Sequence, residues 1–272
     1  MIPKQPIKEA LRRVTAPGRA TPGAIIVGTQ RSGTTSLFGY LLAHPKITPS
    51  TKKEVHYFDL NFVRGLNWYR EHFPLRMELA YRRKISIEAS PYYIFHPRAL
   101  RRIKLVLPRA KIIVLLRNPT ERAISHYFHE VRKGREGLPM LDAFAQEEDR
   151  LEGELKRLQA DETYQSLAHQ HFSYKSRGVY ADQIERCFEL FGRENVHIIH
   201  SEVMFRSPQS VLDDVFGFLG LPPFSPEVLV RRGRPGGYAK QDVPGEAHQS
   251  LRDFFAPHNQ RLYQLLGMDF GW

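Results

Sequence analysis

The sequence predicts an α/β protein: a parallel sheet with helices on both faces. Short, continuous apolar runs bounded by turn residues recur along the chain, the pattern of strands covered on both sides. Segments with apolar residues at helical spacing lie between the runs, which calls for crossover connections and hence parallel strands. With 272 residues, 42% of them apolar, the chain can bury a substantial core, and it reads as one main domain.

In chain order, residues 1–23 form a short basic helix, "MIPKQPIKEALRRV", and a Pro/Gly-rich linker, "TAPGRATPG". The domain, 24–272, opens with the strand "AIIVG" (24–28), followed by the helix "TTSLFGYLLAH". "GLNWYREHF" is a packing helix. The second strand is "KISIEAS" (84–90), and the helix "PRALRRIKLVLP" leads to the third, "KIIVLLR" (111–117). "PTERAISHYFHEVRKG" is the helix after it, and "YADQIERCFELFG" leads into the fourth strand, "NVHIIHS" (195–201). Residues 134–177 break the rhythm. There "LDAFAQEEDRLEGELKRLQADE" carries eight acids against three bases at helical spacing: a solvated helix face, or a wall over an acceptor site. The last helix, "EAHQSLRDFFAPHNQRLYQLLG", ends at Gly267, and "MDFGW" packs back on the body.

The balance of 40 Lys+Arg against 29 Asp+Glu, +11 net, points to an anionic partner: nucleic acid, a membrane surface, or small phosphates and sulfates. The single cysteine, Cys187, excludes an intrachain disulfide and suits a helix core position in a reducing compartment. No run of about 18 apolar residues is present to span a bilayer, and the N-terminus lacks a signal-peptide core. A cytoplasmic protein is expected, with "IKEALRRV" leaving a peripheral membrane contact open. Oligomeric state is not legible.

"GTQRSGTTSL" (28–37) follows a buried strand and opens a helix, the context of a phosphate-gripping loop. Backbone N–H groups at Ser32, Gly33, Thr34, Thr35 and Ser36 would converge on an anion. Gly28 and Gly33 give the tight path, and the hydroxyls add donors. Thr34 stands where a triphosphatase keeps the lysine that spans β- and γ-phosphates, and "KIIVLLRN" ends in Arg117 and not in a magnesium-binding Asp. A ligand of lower charge and a reaction without metal follow. In "LLRNPTERAISHY", Arg117 at a strand end and Ser125 on the second helical turn can clasp a second phosphate. Both sites lie at C-terminal strand ends, where open α/β sheets bind ligands. Two anion sites for one nucleotide describe an adenosine 3',5'-bisphosphate. An atypical P-loop kinase stands as one alternative and a basic nucleic-acid-binding module as another, although no recognition helix, zinc finger or RNA-binding aromatic motif supports the latter.

"GTQRSGTTSL", "KEVHYFD", "LLRNPTERAISHY" and "RRGRPGG", in this order, resemble the PAPS-dependent sulfotransferases, especially the bacterial and heparan-sulfate-type branch, from about residue 24 onward. The resemblance implies a three-layer α/β fold with a P-loop-like phosphosulfate-binding loop. It implies transfer of a sulfuryl group from PAPS, leaving PAP, to a hydroxyl or amine of an acceptor such as a glycan, lipid or other small metabolite. It assigns Arg31, Ser32, Gly33, Thr34, Thr35 and Ser36 to the 5'-phosphosulfate, Arg117 and Ser125 to the 3'-phosphate, and Arg234, Gly236 and Gly237 to a loop closing over the nucleotide. Glu54 becomes the general base, Arg31 the clamp on the leaving phosphate, and His56 and Asp59 line the acceptor site. Extended, "EVHYF" would send Glu54, His56 and Phe58 to one face. Ala89 stands where the animal heparan-sulfate enzymes keep a lysine, while Glu88 and Pro91 match, so the resemblance conveys the nucleotide chemistry and not the acceptor. "HQHFSYKSRGVY" offers His169, His171 or Tyr180 as further contacts, and no metal site is expected.

Overall fold

The computed structural model describes residues 4–226 and 242–272, with side chains from residue 7. Arg234, Gly236 and Gly237 lie outside the described residues. Five parallel strands, β1 (Ala24–Gly28), β2 (Ile47–Pro49), β3 (Ile85–Ala89), β4 (Lys111–Leu116) and β5 (Val196–His200), form a sheet in the order β2-β3-β1-β4-β5. Four of these are the expected strands. β2 escapes sequence reading because its three residues, "ITP", make no apolar run, and its proline is tolerated at the sheet edge.

β1 is buried along its whole length, flanked by Ile87 and Lys111 at Ala24 and by Ala89 and Ile113 at Ile26. Alternating side chains sort into two cores. Ile25, Val27, Ile112, Val114 and Leu116 pack on one face with Ile103, Ile184, Cys187 and Leu262. Ala24, Ile26, Ile87, Ile113 and Leu115 pack on the other with Leu37, Leu41, Leu212 and Phe216. Helices therefore cover both faces of a central parallel sheet.

These helices follow in chain order: α1 (Lys4–Val14), α2 (Thr34–Leu41), α3 (Tyr57–Leu60), α4 (Gly65–Arg70), α5 (Arg76–Arg82), α6 (Ala99–Val106) and α7 (Pro119–Arg132). Residues 134–177 carry four short helices, α8 (Met140–Ala145), α9 (Glu147–Leu151), α10 (Glu154–Ala160) and α11 (Leu167–His171). Met140, Phe144 and Tyr174 of this segment share a third core with Tyr127 of α7 and with Phe255. Its acids are only partly a solvated face. Glu147 is buried and accepts the backbone N–H groups of Lys175 (2.5 Å) and Ser176 (2.8 Å). The chain closes with α12 (Ala181–Phe191), α13 (Ser201–Arg206), α14 (Pro208–Leu219) and α15 (Gly245–Leu266), the last stopped by Gly267 at φ 66°. Phe270 is buried beyond it, and Trp272 N–H donates to Tyr263 Oη at 2.9 Å.

Because every strand runs the same way, the segments after β1 (Thr29–Gly33), β2 (Ser50–His56), β3 (Ser90–Tyr92) and β4 (Arg117–Asn118) all emerge at one edge of the sheet. β1 lies at the reversal of strand order, where the loops on either side diverge and leave a crevice.

Candidate active site

The segment after β1 is a tight turn. Gly33, the N-cap of α2, has φ 94°, and a Cβ there would stand 2.6 Å from the Phe205 ring. A Cβ on Gly28 would collide with Ile94 Cγ2. Thr29 anchors the turn to β4, its N–H and Oγ1 donating to Leu115 O at 2.9 and 2.8 Å. Of the five N–H groups expected to converge, two are spent within the turn: Ser32 N–H on Thr29 O (3.2 Å) and Ser36 N–H on Gly33 O (3.0 Å). Ser32 Oγ is likewise paired with Thr29 Oγ1 at 2.5 Å. The N–H groups of Gly33, Thr34 and Thr35 precede any intrahelical carbonyl, and at the positive end of α2 they suit an anion.

The second predicted anion site is joined to the first. Asn118 caps α7, accepting from Thr120 N–H (3.0 Å) and Glu121 N–H (3.3 Å), with Pro119 in the first turn where its missing N–H costs nothing. This sets Ser125 on the inner face of α7. Ser125 Oγ accepts from Arg31 Nε and Nη2, both at 3.1 Å, and Arg31 Nη1 is 3.5 Å from His129 Nδ1. Arg117 donates through Nη1 to Arg31 O at 3.1 Å, while its own carbonyl accepts from Tyr180 Oη at 2.9 Å. Arg31, Arg117 and Ser125 thus form one contiguous group. The serine's direct partner is Arg31, not the Arg117 that the sequence pairs with it.

Beyond β2, the chain is not extended, so the one-face arrangement that an extended "EVHYF" would give does not arise. Glu54 (φ 62°) and His56 (φ 55°) are both left-handed, and Tyr57 begins α3. Phe58 is therefore turned into the core while Glu54 and His56 stay at the surface of the crevice. Two left-handed non-glycine residues cost of order 1–3 kcal/mol each. Three bonds hold them: Glu54 N–H to Ala89 O (2.9 Å), His56 N–H to Ser90 Oγ (3.2 Å) and Tyr57 N–H to Tyr93 Oη (2.8 Å). Ser90 and Tyr93 in turn donate to the fully buried Glu88, at 2.8 and 2.7 Å.

The result is a chain of charge. Asp59 Oδ2 lies 2.7 Å from His56 Nδ1, and His56 Nε2 lies 3.5 Å from Glu54 Oε2, whose other oxygen accepts from Lys53. Burial pushes the Glu54 carboxyl up, but the hydrogen bond from His56 and the charge and bond of Lys53 pull it down further, to about 2. Burial pushes His56 down, but its bonds to Asp59 and Glu54 raise it to about 10. At neutral pH the site therefore holds an imidazolium beside the Glu54 carboxylate, with Asp59 Oδ2 at the other ring nitrogen.

A cavity of about 150 Å³ ties these parts together, lined by Gln30 of the first turn, by Glu54 and His56, and by Tyr92, His129 and Arg177 among others. Arg135, Gln170 and His171, from the 134–177 segment, also reach its wall. Arg177 is the principal residue that sequence reading missed. Fully buried, it donates to Ser173 Oγ (3.1 Å), His169 O (2.9 Å) and Gln170 O (3.0 Å), reaches Gln30 Oε1, and lies against the rings of Tyr92 and Phe95. Of the three side chains expected from "HQHFSYKSRGVY", only His171 lines the cavity. His169 is buried, with Nδ1 2.7 Å from Tyr92 Oη, and Tyr180 orients Arg117. Among the described residues, no group of three or more His, Cys, Asp or Glu is arranged to hold a metal, and no helix is long and apolar enough to cross a membrane.

Fold and site together define an α/β protein with a tight, glycine-bounded turn at the switch point of a parallel sheet and a carboxylate–imidazole pair beside it. Residues 21–232 match the sulfotransferase domain, and the chain belongs to that family. It is 33% identical to a solved sulfotransferase from Alicyclobacillus acidocaldarius, with a TM-score of 0.68, over 92% of this chain and 98% of that one. It is 28% identical to heparan sulfate glucosamine 3-O-sulfotransferase 6 of Homo sapiens, over 98% of this chain and 79% of that protein. Identity to the membrane-associated sulfotransferase kil1 of Dictyostelium discoideum is 27%, over 92% of this chain and 66% of that protein's length. The chain is a PAPS-dependent sulfotransferase, moving a sulfuryl group to a hydroxyl or amine acceptor. The kinase and nucleic-acid readings fall away.

Proposed function

We propose that Glu54 is the general base of this sulfotransferase and that its acceptor, a small metabolite, glycan or lipid bearing a hydroxyl or amine, enters the cavity lined by Glu54, His56 and Gln30. The observation that carries this reading is that one cavity borders both the turn after β1 and the only such carboxylate–imidazole–carboxylate chain at this edge of the sheet among the described residues. Asp59, expected on the acceptor wall, has its side chain fully buried behind His56 and does not reach the cavity; it acts there through the imidazole it holds.

Gly33, Thr34 and Thr35 N–H, with Arg31 and the hydroxyls of Ser32 and Ser36 shaping the turn, make a P-loop-like cradle for a 5'-phosphosulfate. Arg117 and Ser125 hold the 3'-phosphate. The fit rests on the two glycine positions that admit no Cβ and on the arginines gathered at the mouth of the turn. When bound, PAPS supplies the sulfuryl group and a phosphate leaving group. Arg31 neutralises charge at the turn, and Glu54 Oε accepts the acceptor's proton once the acceptor takes the place of Lys53 or His56 at the carboxylate. The cationic residues meet the ligand's charge, so no metal is invoked. Residues 24–272 are read as one domain behind the 1–23 helix and linker, with the 134–177 segment as a wall of the acceptor site, supported by Arg135, Gln170 and His171 on the cavity. A cytoplasmic location rests on the single, buried cysteine.

Glu54→Gln should leave PAP binding intact and lower sulfuryl transfer by roughly 10² to 10⁴-fold. Near-wild-type turnover in that variant would remove Glu54 as the base.

A further inference from the structure

α1 is built inside out. Apolar residues of a surface helix ordinarily face the body of the protein. Here Arg12, on the polar side, donates through Nη1 to Glu71 O at 2.8 Å, and Arg13 pairs with Glu71 at 4.0 Å, so the polar side is the one attached. Ile7, Leu11 and Val14, at i, i+4 and i+7 on the opposite side, are 56%, 59% and 80% exposed. The same end of the molecule holds α5, bound to the linker through Arg76, which donates to Pro17 O, and through the Arg19–Leu75 bridge. α5 presents its own exposed apolar pair, Met77 and Tyr81, at i and i+4.

Charge selects the occupant. Around the stripe Lys8 and Arg13 stand exposed against Glu9, and on α5 and just beyond it Arg76, Arg82 and Arg83 stand exposed against Glu78. An apolar stripe flanked by bases suits the headgroup and acyl boundary of an anionic bilayer, where Lys and Arg meet lipid phosphates and the apolar side chains sink below them. We propose that this face, α1 together with Met77 and Tyr81, docks the enzyme onto the surface of an anionic membrane. The proposal extends beyond the catalytic reading and is independent of it.

The test is flotation of the full chain with vesicles of phosphatidylcholine containing about 30% phosphatidylserine, and with pure phosphatidylcholine. The expected result is binding to the anionic vesicles, weak binding to the neutral ones, and loss on raising the salt. Ile7→Glu combined with Leu11→Glu should weaken anionic-vesicle binding at least about tenfold while the PAP-dependent rise in melting temperature and the transfer activity stay as in wild type. Equal failure to bind either vesicle would overturn the proposal. So would vesicle binding that the double variant leaves unchanged, since the charge alone would then be acting elsewhere. A concentration-dependent dimer, broken by the double variant and without vesicle binding, would assign the face to a second copy of the chain.

Discussion

Glu54 and His56 hold each other in charged forms, and this fixes the pH dependence expected of the reaction. The Glu54 carboxyl, down at about 2, stays ionised through the acid range, and His56, up at about 10, stays protonated through the neutral range. With Glu54 as base, kcat/KM should be flat from about pH 5 to 8, falling only as pH drops toward the Glu54 value or rises toward the His56 value. A rate climbing about tenfold per pH unit between 6 and 8 would instead make neutral His56 the base. These residues were legible because Glu54, His56 and Asp59 fall within one hexapeptide, so local sequence carries the constellation. Arg177 was not, because its role depends on Gln30, 147 positions away, and on burial between Tyr92 and Phe95. Nothing in "KSRG" distinguishes a buried arginine from an exposed one. The partnership of Ser125 with Arg31 was hidden in the same way: motif order suggests two sites, and only the packing of α7 against the turn joins them.

At the level of elements, the turn after β2 that carries Glu54 and His56 depends on the end of β3. Glu88 holds Tyr93 Oη and Ser90 Oγ, which hold the N–H groups of Tyr57 and His56. Tyr93→Phe removes one of the two donors to Glu88 Oε1, leaving Ser90 Oγ, and takes the acceptor from the buried Tyr57 N–H. It should cost about 1–3 kcal/mol of stability and lower kcat more than PAP affinity. Unchanged kcat with a lowered melting point would make the link purely structural. The turn before α2 has the opposite dependence. Gly33→Ala forces a side chain into φ 94° and against Phe205, and should cost about 1–3 kcal/mol or more while weakening PAP binding. Calorimetry with and without PAP separates the two effects. The sheet itself was largely legible, since β1, β3, β4 and β5 are apolar runs with clear turn signals. β2 was not, for three residues leave no periodicity to read, and the left-handed pair at Glu54 and His56 contradicts the extended backbone that β-prone "EVHYF" suggests.

For the whole molecule, the strand order and the excess of positive charge converge on one function. The order β2-β3-β1-β4-β5 puts the turn after β1 at the reversal point, and Arg31 and Arg117 gather there. Arg117→Ala should therefore weaken PAP binding while the fold persists, because its guanidinium is part-exposed and is held at the surface by Arg31 O and Glu121. Wild-type affinity in that variant would remove it from the 3'-phosphate site. The measurement that bears most directly on the account is a thermal melt of the wild-type chain with PAP in the presence of a chelator, beside melts with adenosine 5'-monophosphate and with Mg-ATP. At about 100 times its dissociation constant, PAP should stabilise the native state by about 2.7 kcal/mol, a rise on the order of 5 °C for a chain of this size. That rise without metal, with a smaller one for the monophosphate and none for Mg-ATP, is the predicted result. A rise with Mg-ATP alone would contradict it.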